Sequence, residues 1–387
     1  MPRQPTRRTV LRGLGAGAVL AGSAGVLPLF GTPSRQQDPE SCTTDDRSAT
    51  EKSLVISNWP EYIDTAEDGG TTTLEDFEKA TGIDVRYTAD VNDNVEFFAK
   101  VVNQLGACQE TKRDMFMLTD WMAARMINMG WIQKLDAAKV PNLHQNLISS
   151  LQGVDWDPER EYSAPWQSGL AGIAYNAAEV GEVRTMDELL TRSDLKGRVS
   201  LLTEMRDTMG LLLLSDGNDP ADFDDDDWAV AMEKLRKARS AGQIRAFTGN
   251  EYIQDLSAGN ILACVAWSGD VLAAGDENLK FITPEEGSMI WSDNMLIPNL
   301  AGHQDNAQKW IDHYYDPAVA AKLAAWVNYI CPVEGAQAEM EKIDPELAES
   351  ELIFPTEETL AQTHVFRGLK EYEARAYEGE FADVTGG

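Results

Sequence analysis

The chain is poor in basic charge. Its 387 residues hold 33 lysines and arginines against 64 aspartates and glutamates, a formal net charge of −31. A polyanion needs a basic footprint, so this balance argues against nucleic acid as a partner. It leaves room for a cationic ligand. Acidity this strong, spread over the whole chain, reads as adaptation to concentrated salt, where the screening length falls to ~3 Å at 1 M and self-repulsion is damped. Cysteine and histidine are scarce too, with only Cys42, Cys108, Cys264 and Cys331 and four histidines. No cysteine pair has metal-site spacing, no dense disulfide framework is present, and the histidines show no HExxH pattern. Cys264 and Cys331 lie in apolar runs and are expected in the core. There is no nucleophile elbow, metal motif or recognisable triad. No catalytic role, metal or cofactor is therefore expected.

A strongly apolar run of spanning length is missing from the start of the chain. Arg7-Arg8-Thr9-Val10-Leu11-Arg12 is followed by the small-residue run Gly13 to Leu29. Residues 1–35 hold five arginines, no lysine and no acid, so their removal takes the net charge from −31 to −36 (−31 − 5). Basic first, apolar next and small residues after is the order of an export signal, here of the twin-arginine kind, which carries folded cargo. The run is too weak and short for a membrane span. Gly13, Gly15 and Gly17 follow no strand and so make no nucleotide loop. Leu20-Ala21-Gly22-Ser23 has the outline of a lipoprotein cleavage box with serine in place of its cysteine, which excludes thioether lipidation there. Residues 36–52 are expected to be a disordered polar tether, and the mature protein is expected outside the cell or at its surface.

The remainder reads as α/β. Leu54 to Trp59 is a strand, Thr73 to Gly82 a helix with Thr73 as N-cap and Gly82 as its stop, and Ile83, Val85 and Tyr87 alternate as a second strand. Strand, helix and strand at this spacing predict a parallel sheet. Further strands are expected at Met115–Leu118, Leu170–Tyr175, Val199–Thr203 and Ile261–Trp267, and helices at 122–129, 304–314 and 317–328. Asp224 to Asp227 is read as a helix start favoured by the helix dipole, lacking the spacing of a calcium loop. The stretch Gly287 to Pro298 is read as a strand with Trp291 and Asp293 two apart, hence on one side. Either it is half-buried, with Trp291 in the core and Asp293 at the surface, or it offers an indole and a carboxylate together to an organic cation.

The rest of the chain favours the second reading. Trp59, Thr119, Trp121, Glu204, Asp207 and Trp267 all fall at or just beyond carboxyl ends of predicted strands, the edge where open α/β sheets bind ligands. Segments far apart in sequence thus deliver the same two chemistries, indoles and carboxylates.

At these residues the chain resembles the spermidine/putrescine-binding proteins of polyamine ABC transporters, within the class of extracellular solute-binding proteins. The likeness runs from about Leu54 to Phe381 and rests on four motifs in order: Asn58-Trp59-x-Glu61-Tyr62, Phe77-Glu78-Lys79-x-Thr81-Gly82-Ile83, Gly130-Trp131-Ile132-Gln133-Lys134-Leu135-Asp136 and Trp291-Ser292-Asp293. The resemblance implies a two-lobed clamshell of the type II periplasmic-binding-protein class, each lobe a mixed sheet flanked by helices. Lobe 1 is expected over 53–168 and 290–337, and lobe 2 over 169–289 and 338–387. It implies ligand contacts from Trp59, Glu61, Tyr62, Thr119, Trp121, Glu204, Asp207, Trp267, Trp291, Asp293 and Tyr329. Thr119 stands where serine is usual and Trp121 where tyrosine is, while Glu204 and Asp207 exchange the family's acid identities. Pro60 replaces a hydroxyl residue, Asp120 adds an acid, and a late glutamine contact has no assigned counterpart, Gln362 included. The implied partners are a polyamine and a membrane permease, with the binding protein a monomer.

Rival readings are a binder of quaternary ammonium compounds, an extracellular hydrolase using Glu204 and Asp207, and a ferric-ion binder using Tyr314 and Tyr315. An aromatic box with few acids would suit the first, whereas several acids favour primary amines. The tyrosine pair is expected on a helix with one face to the core and the other to water.

Overall fold

The computed structural model describes residues 41–66 and 70–386. The twin-arginine segment, residues 1–35, and the first residues of the segment read as a tether lie outside the described residues.

The chain opens with β1 (Ser53–Asn58), α1 (Thr73–Thr81), β2 (Asp84–Ala89), α2 (Asn94–Gly106), β3 (Met115–Thr119) and α3 (Asp120–Asn128). There follow α4 (Pro141–Asn146), β4 (Ser163–Asn176), α5 (Met186–Thr191), β5 (Val199–Leu202), α6 (Met205–Ser215) and α7 (Asp225–Ser240). Next come β6 (Ile244–Thr248), α8 (Tyr252–Ser257), β7 (Ala263–Trp267), α9 (Ser268–Ala273), β8 (Leu279–Ile282) and β9 (Ser288–Leu296). Then α10 (Gln304–Tyr314), α11 (Pro317–Val327), α12 (Ala336–Ile343), α13 (Pro345–Ala348), α14 (Glu357–Leu360), β10 (Thr363–His364) and α15 (Glu371–Thr385) complete it.

Local chemistry sets the helix ends. The N-cap of α1 is Thr72, one residue earlier than expected, because Glu75 completes a capping box with it: Thr72 Oγ1 accepts from Glu75 N at 3.1 Å, and Glu75 Oε2 accepts from Thr72 N at 2.8 Å. Gly82 ends the helix at φ 69°, a left-handed conformation that only glycine adopts without penalty. The acidic run is a helix start, with Asp224 Oδ1 accepting from Asp226 N and Asp227 N.

The sheet has the order β2-β1-β3-β9-β4-β7-β5-β6, with β10 beside β9 and β8 beside β4. Two parallel triplets, β2-β1-β3 and β7-β5-β6, are joined through the long antiparallel pair β9 and β4. β3 meets β9 antiparallel, with Thr119 opposite Asp293, and Asp293 in turn lies opposite Gln167 of β4. β7 meets β4 antiparallel, with Trp267 opposite Ala171. These registers make the carboxyl ends of the two triplets point at each other along β4. The gap between Gln167 and Ala171 is four residues, or about 13 Å of strand. The βαβ unit and the two-lobed α/β arrangement expected from the sequence are both present.

The cores are apolar and continuous. β3 is buried at all five residues, and Trp166, Trp228 and Trp310 are core tryptophans. Cys264 and Cys331 are free and buried, as expected. Tyr314 and Tyr315 depart from expectation: both are fully buried, and their hydroxyls donate to the carbonyls of Trp166 and Pro165. Neither faces water, because both rings are buried and both hydroxyls are bonded to carbonyls of β4.

Residues 41–52 are not a disordered tether. Cys42 is bonded to Cys108 at the end of α2. Arg47 N donates to Gly302 O, Ser48 Oγ accepts from Asn306 N, and His303 lies between Asp114 and Glu51. Polar composition suggested disorder, but those polar groups find partners on the body. The expected lobe division at 337/338 also falls inside a helix, α12, which packs on α11. Among the described residues no helix is long and apolar enough to cross a membrane.

Candidate functional site

A cavity opens in the gap between the two sets of strand ends. Its empty volume, with the open solvent at its mouth included, is about 880 Å³. All eleven residues singled out in the sequence line it, as do Pro60 and Asp120.

Topology places them. Trp59, Glu61 and Tyr62 follow β1, and Glu61 takes a left-handed φ of 55°, which turns the chain across the strand end. Thr119 closes β3, and Trp121 sits in the first turn of α3. Glu204 stands at the N-cap position of α6, without a side-chain capping bond, and Asp207 lies in its first turn, where the helix dipole favours a carboxylate. Trp267 closes β7. Trp291 and Asp293 share a side of β9, and Tyr329 follows the αL residue Asn328 that ends α11. Asp293 is only 3% exposed, so it does not lie at the surface as the half-buried reading of its strand had it.

The aromatic residues form a string. Tyr62 meets Tyr329 edge-on at 5.5 Å between ring centroids, Tyr329 meets Trp291 at 5.4 Å, and Trp291 meets Trp267 at 6.5 Å. Two glycines make the space. A Cβ on Gly269 would lie 2.6 Å from three Tyr329 ring atoms, and one on Gly169 would lie 2.8 Å from Tyr329 Cδ1.

The carboxylates are held by donors. Thr119 Oγ1 donates to Asp293 Oδ1 at 2.8 Å. Asn94 Nδ2 donates to Thr119 Oγ1 at 2.8 Å and to Glu204 Oε2 at 3.2 Å, spanning the gap between the triplets. Trp267 Nε1 donates to Asp207 Oδ2 at 2.7 Å. Burial nevertheless pushes all of them towards the protonated form. Glu204 is raised to about 8, by burial first and then by the charge of Asp93. Asp207 and Asp293 are raised to about 7 and Asp120 to about 6, again chiefly by burial. Such a cluster is short of positive charge, and a bound cation would restore its ionised form.

Three residues that matter to this geometry were not selected from sequence. Asp270 accepts from Tyr329 OH at 2.6 Å, Tyr252 OH at 2.7 Å and Asn250 Nδ2 at 3.0 Å, and lines the cavity. Its signal was present: it stands three residues beyond Trp267, in the first turn of α9 at the carboxyl end of β7. Asn94 and Arg206 carried no such signal, since a lone polar residue in a first helical turn is ordinary. Gln362 is not among the lining residues, whereas Phe366 from the same segment is.

The model of the family described as bacterial extracellular solute-binding protein matches residues 72–355. The putrescine-binding periplasmic protein PotF of Escherichia coli K12 is 29% identical over 375 residues, covering 91% of each chain. Spermidine/putrescine-binding periplasmic protein 1 of Haemophilus influenzae is 26% identical over 336 residues, covering 86% of this chain and 89% of its own. A solved structure described as a putative spermidine/putrescine ABC transporter from Listeria monocytogenes superposes with a TM-score of 0.75 at 28% identity, covering 86% of this chain and 99% of that one. With the family pattern running through most of its length, this chain belongs to the bacterial extracellular solute-binding proteins.

Proposed function

We propose that this protein is the solute-binding component of an ABC importer and that it holds a polyamine of the spermidine/putrescine type. The observation that carries the reading is the convergence in one cavity of six carboxylates, from Glu61, Asp120, Glu204, Asp207, Asp270 and Asp293, with a string of aromatic rings. A linear polyamine alternates ammonium groups with methylene spacers. Rings cover the methylenes and attract the cations, while carboxylates accept the N–H groups. Each desolvated cation–aromatic contact contributes about 0.5–2 kcal/mol and each charged hydrogen bond about 1.5–3 kcal/mol. Three or four such contacts offset ligand ordering and reach roughly micromolar affinity or better.

Trp59, Glu61, Tyr62, Thr119, Trp121, Glu204, Asp207, Trp267, Trp291, Asp293 and Tyr329 are the proposed contacts, joined by Asp270. We place one lobe around β2-β1-β3 and the other around β7-β5-β6, with crossings in β4 and β9 and a third between α13 and β10. Closure of the lobes on ligand changes the surface offered to a membrane permease. The twin-arginine start supports export in folded form, and the acidic surface supports work in concentrated salt.

A quaternary ammonium ligand would leave the acceptor oxygens without N–H partners, so the carboxylate count favours amines. A thermal-shift screen of diamines, triamines and betaines at high salt tests the reading. Diamines or triamines should raise Tm and betaines should not; the reverse ranking would overturn it.

A further inference from the structure

Among the described residues of the cavity wall, six are carboxylates and a single one, Arg206, is cationic. Its guanidinium lies 3.4 Å from the centroid of the Trp121 ring, reaching from α6 on one side of the cavity to α3 on the other. Arg206 is 7% exposed, and behind it Nη2 lies 3.6 Å from Glu378 Oε1 of α15. That separation is an ion pair without a hydrogen bond. The charged groups acting on it are Glu204 and Asp207 at the start of its own helix, Asp120 and Arg125 from α3, and Glu378 from α15. A buried guanidinium is costly unless its charge is used.

We infer that Arg206 is a positioning residue for the candidate site: it presses Trp121 against the cavity and serves as a fixed counter-charge that keeps the neighbouring carboxylates ready for a cationic ligand. Trp121 is therefore braced by a cation of the protein itself, and its indole stands as a wall whose one face is already taken. The carboxylates Glu204, Asp207 and Asp120 each feel the Arg206 charge favouring their ionised form against burial. Asp93 works in the opposite direction on Glu204. Glu378 sits outside the cavity wall and draws on the same guanidinium from behind. It thereby sets how much of the positive charge is left for the cavity. The inference rests on the polyamine reading only for the identity of the ligand.

The test uses the mature chain and two variants with opposite expectations. Putrescine affinity is measured by calorimetry from about pH 5 to pH 9 for wild type, Arg206→Met and Glu378→Gln. Arg206→Met should move the midpoint of the rise in affinity up by about half a pH unit or more, since the acids lose their counter-charge. At about pH 6 it should bind at least about tenfold more weakly than wild type, with the gap closing towards pH 9. Glu378→Gln should move the midpoint down, because Arg206 is then less neutralised; this variant lies away from the cavity and decides the matter even if Arg206→Met folds poorly. A purely structural role would weaken binding evenly with pH. Unmoved midpoints in both variants would overturn the proposal while leaving the polyamine reading intact. If wild type binds no polyamine, that reading falls. NMR titration of the ligand-free carboxyl groups then applies the same criterion, and unchanged midpoints there overturn the role of Arg206 by themselves.

Discussion

Trp267 donates its indole N–H to Asp207 at 2.7 Å, so the last residue of β7 and the first turn of α6 are fixed to each other inside the cavity. The bond orients a ring and an acid at once, which explains why an indole rather than a phenyl ring stands there. Trp267→Phe keeps an aromatic wall but removes the donor. Asp207, already raised to about 7 by burial, then loses the hydrogen bond that favours its ionised form. A charged hydrogen bond contributes about 1.5–3 kcal/mol, so putrescine affinity should fall by about tenfold or more at neutral pH. Calorimetry checks this, and a fall that disappears towards pH 9 identifies the acid as the cause.

The cavity acids also set a pH dependence with two opposite faces. Their folded-state values, about 8 for Glu204 and about 7 for Asp207 and Asp293, lie above those of exposed carboxyl groups. Between roughly pH 4 and pH 8 the folded, ligand-free protein therefore binds more protons than the unfolded chain, and its stability falls as pH rises through that window. Cation binding needs the ionised form, so affinity rises over the same window with release of protons. Tm of the ligand-free protein should be higher near pH 5 than near pH 8, while the shift caused by polyamine should be larger near pH 8. Asp293→Asn should flatten part of both trends. Parallel trends, with ligand stabilising most at low pH, would contradict this electrostatic picture.

Gly269 makes the seat of Tyr329. Any Cβ there would stand 2.6 Å from three ring atoms, closer than real contacts allow. Gly269→Ala should push the ring off Asp270, to which its hydroxyl donates at 2.6 Å. Overpacking of this kind costs about 1–3 kcal/mol, and loss of the positioned phenol should weaken polyamine binding by about tenfold as well. Thermal unfolding and calorimetry read the two effects separately.

The Cys42–Cys108 disulfide joins residues 66 apart in sequence, a closure worth about 4 kcal/mol on chain-entropy grounds. Reduction, or the Cys42→Ser/Cys108→Ser pair, should lower Tm by several degrees. Ligand affinity should stay within about twofold, because the bond lies at the far end of α2 from Asn94, about 20 Å along the helix. A free thiol count on the untreated protein gives the oxidation state directly.

What the sequence revealed follows from what each feature depends on. Trp291 and Asp293 were readable because two-residue spacing fixes their common side in β9, and the βαβ unit was readable because caps and alternation are local. Carboxyl ends of strands drew together residues whose convergence needs only the sheet rule. Asp270 was within reach just beyond the carboxyl end of β7, but its place depends on Tyr252 and Tyr329, which come from other elements. Arg206 on Trp121 depends on how two helices face each other across the cavity, and no spacing encodes that. Residues 41–52 misled because polar composition does not reveal that Arg47, Ser48 and Glu51 have partners around residues 302–306.

Asp293 lines the cavity, buried and bonded to Thr119, on the same side of β9 as Trp291 of the aromatic string. The most direct measurement is a calorimetric titration of wild type and Asp293→Asn with putrescine and spermidine in high salt near pH 8. The account predicts binding of at least one of these by wild type and a loss of at least about tenfold, or ~1.4 kcal/mol, in the variant. Equal affinity of the two proteins, or heat from neither amine with wild type, would contradict it.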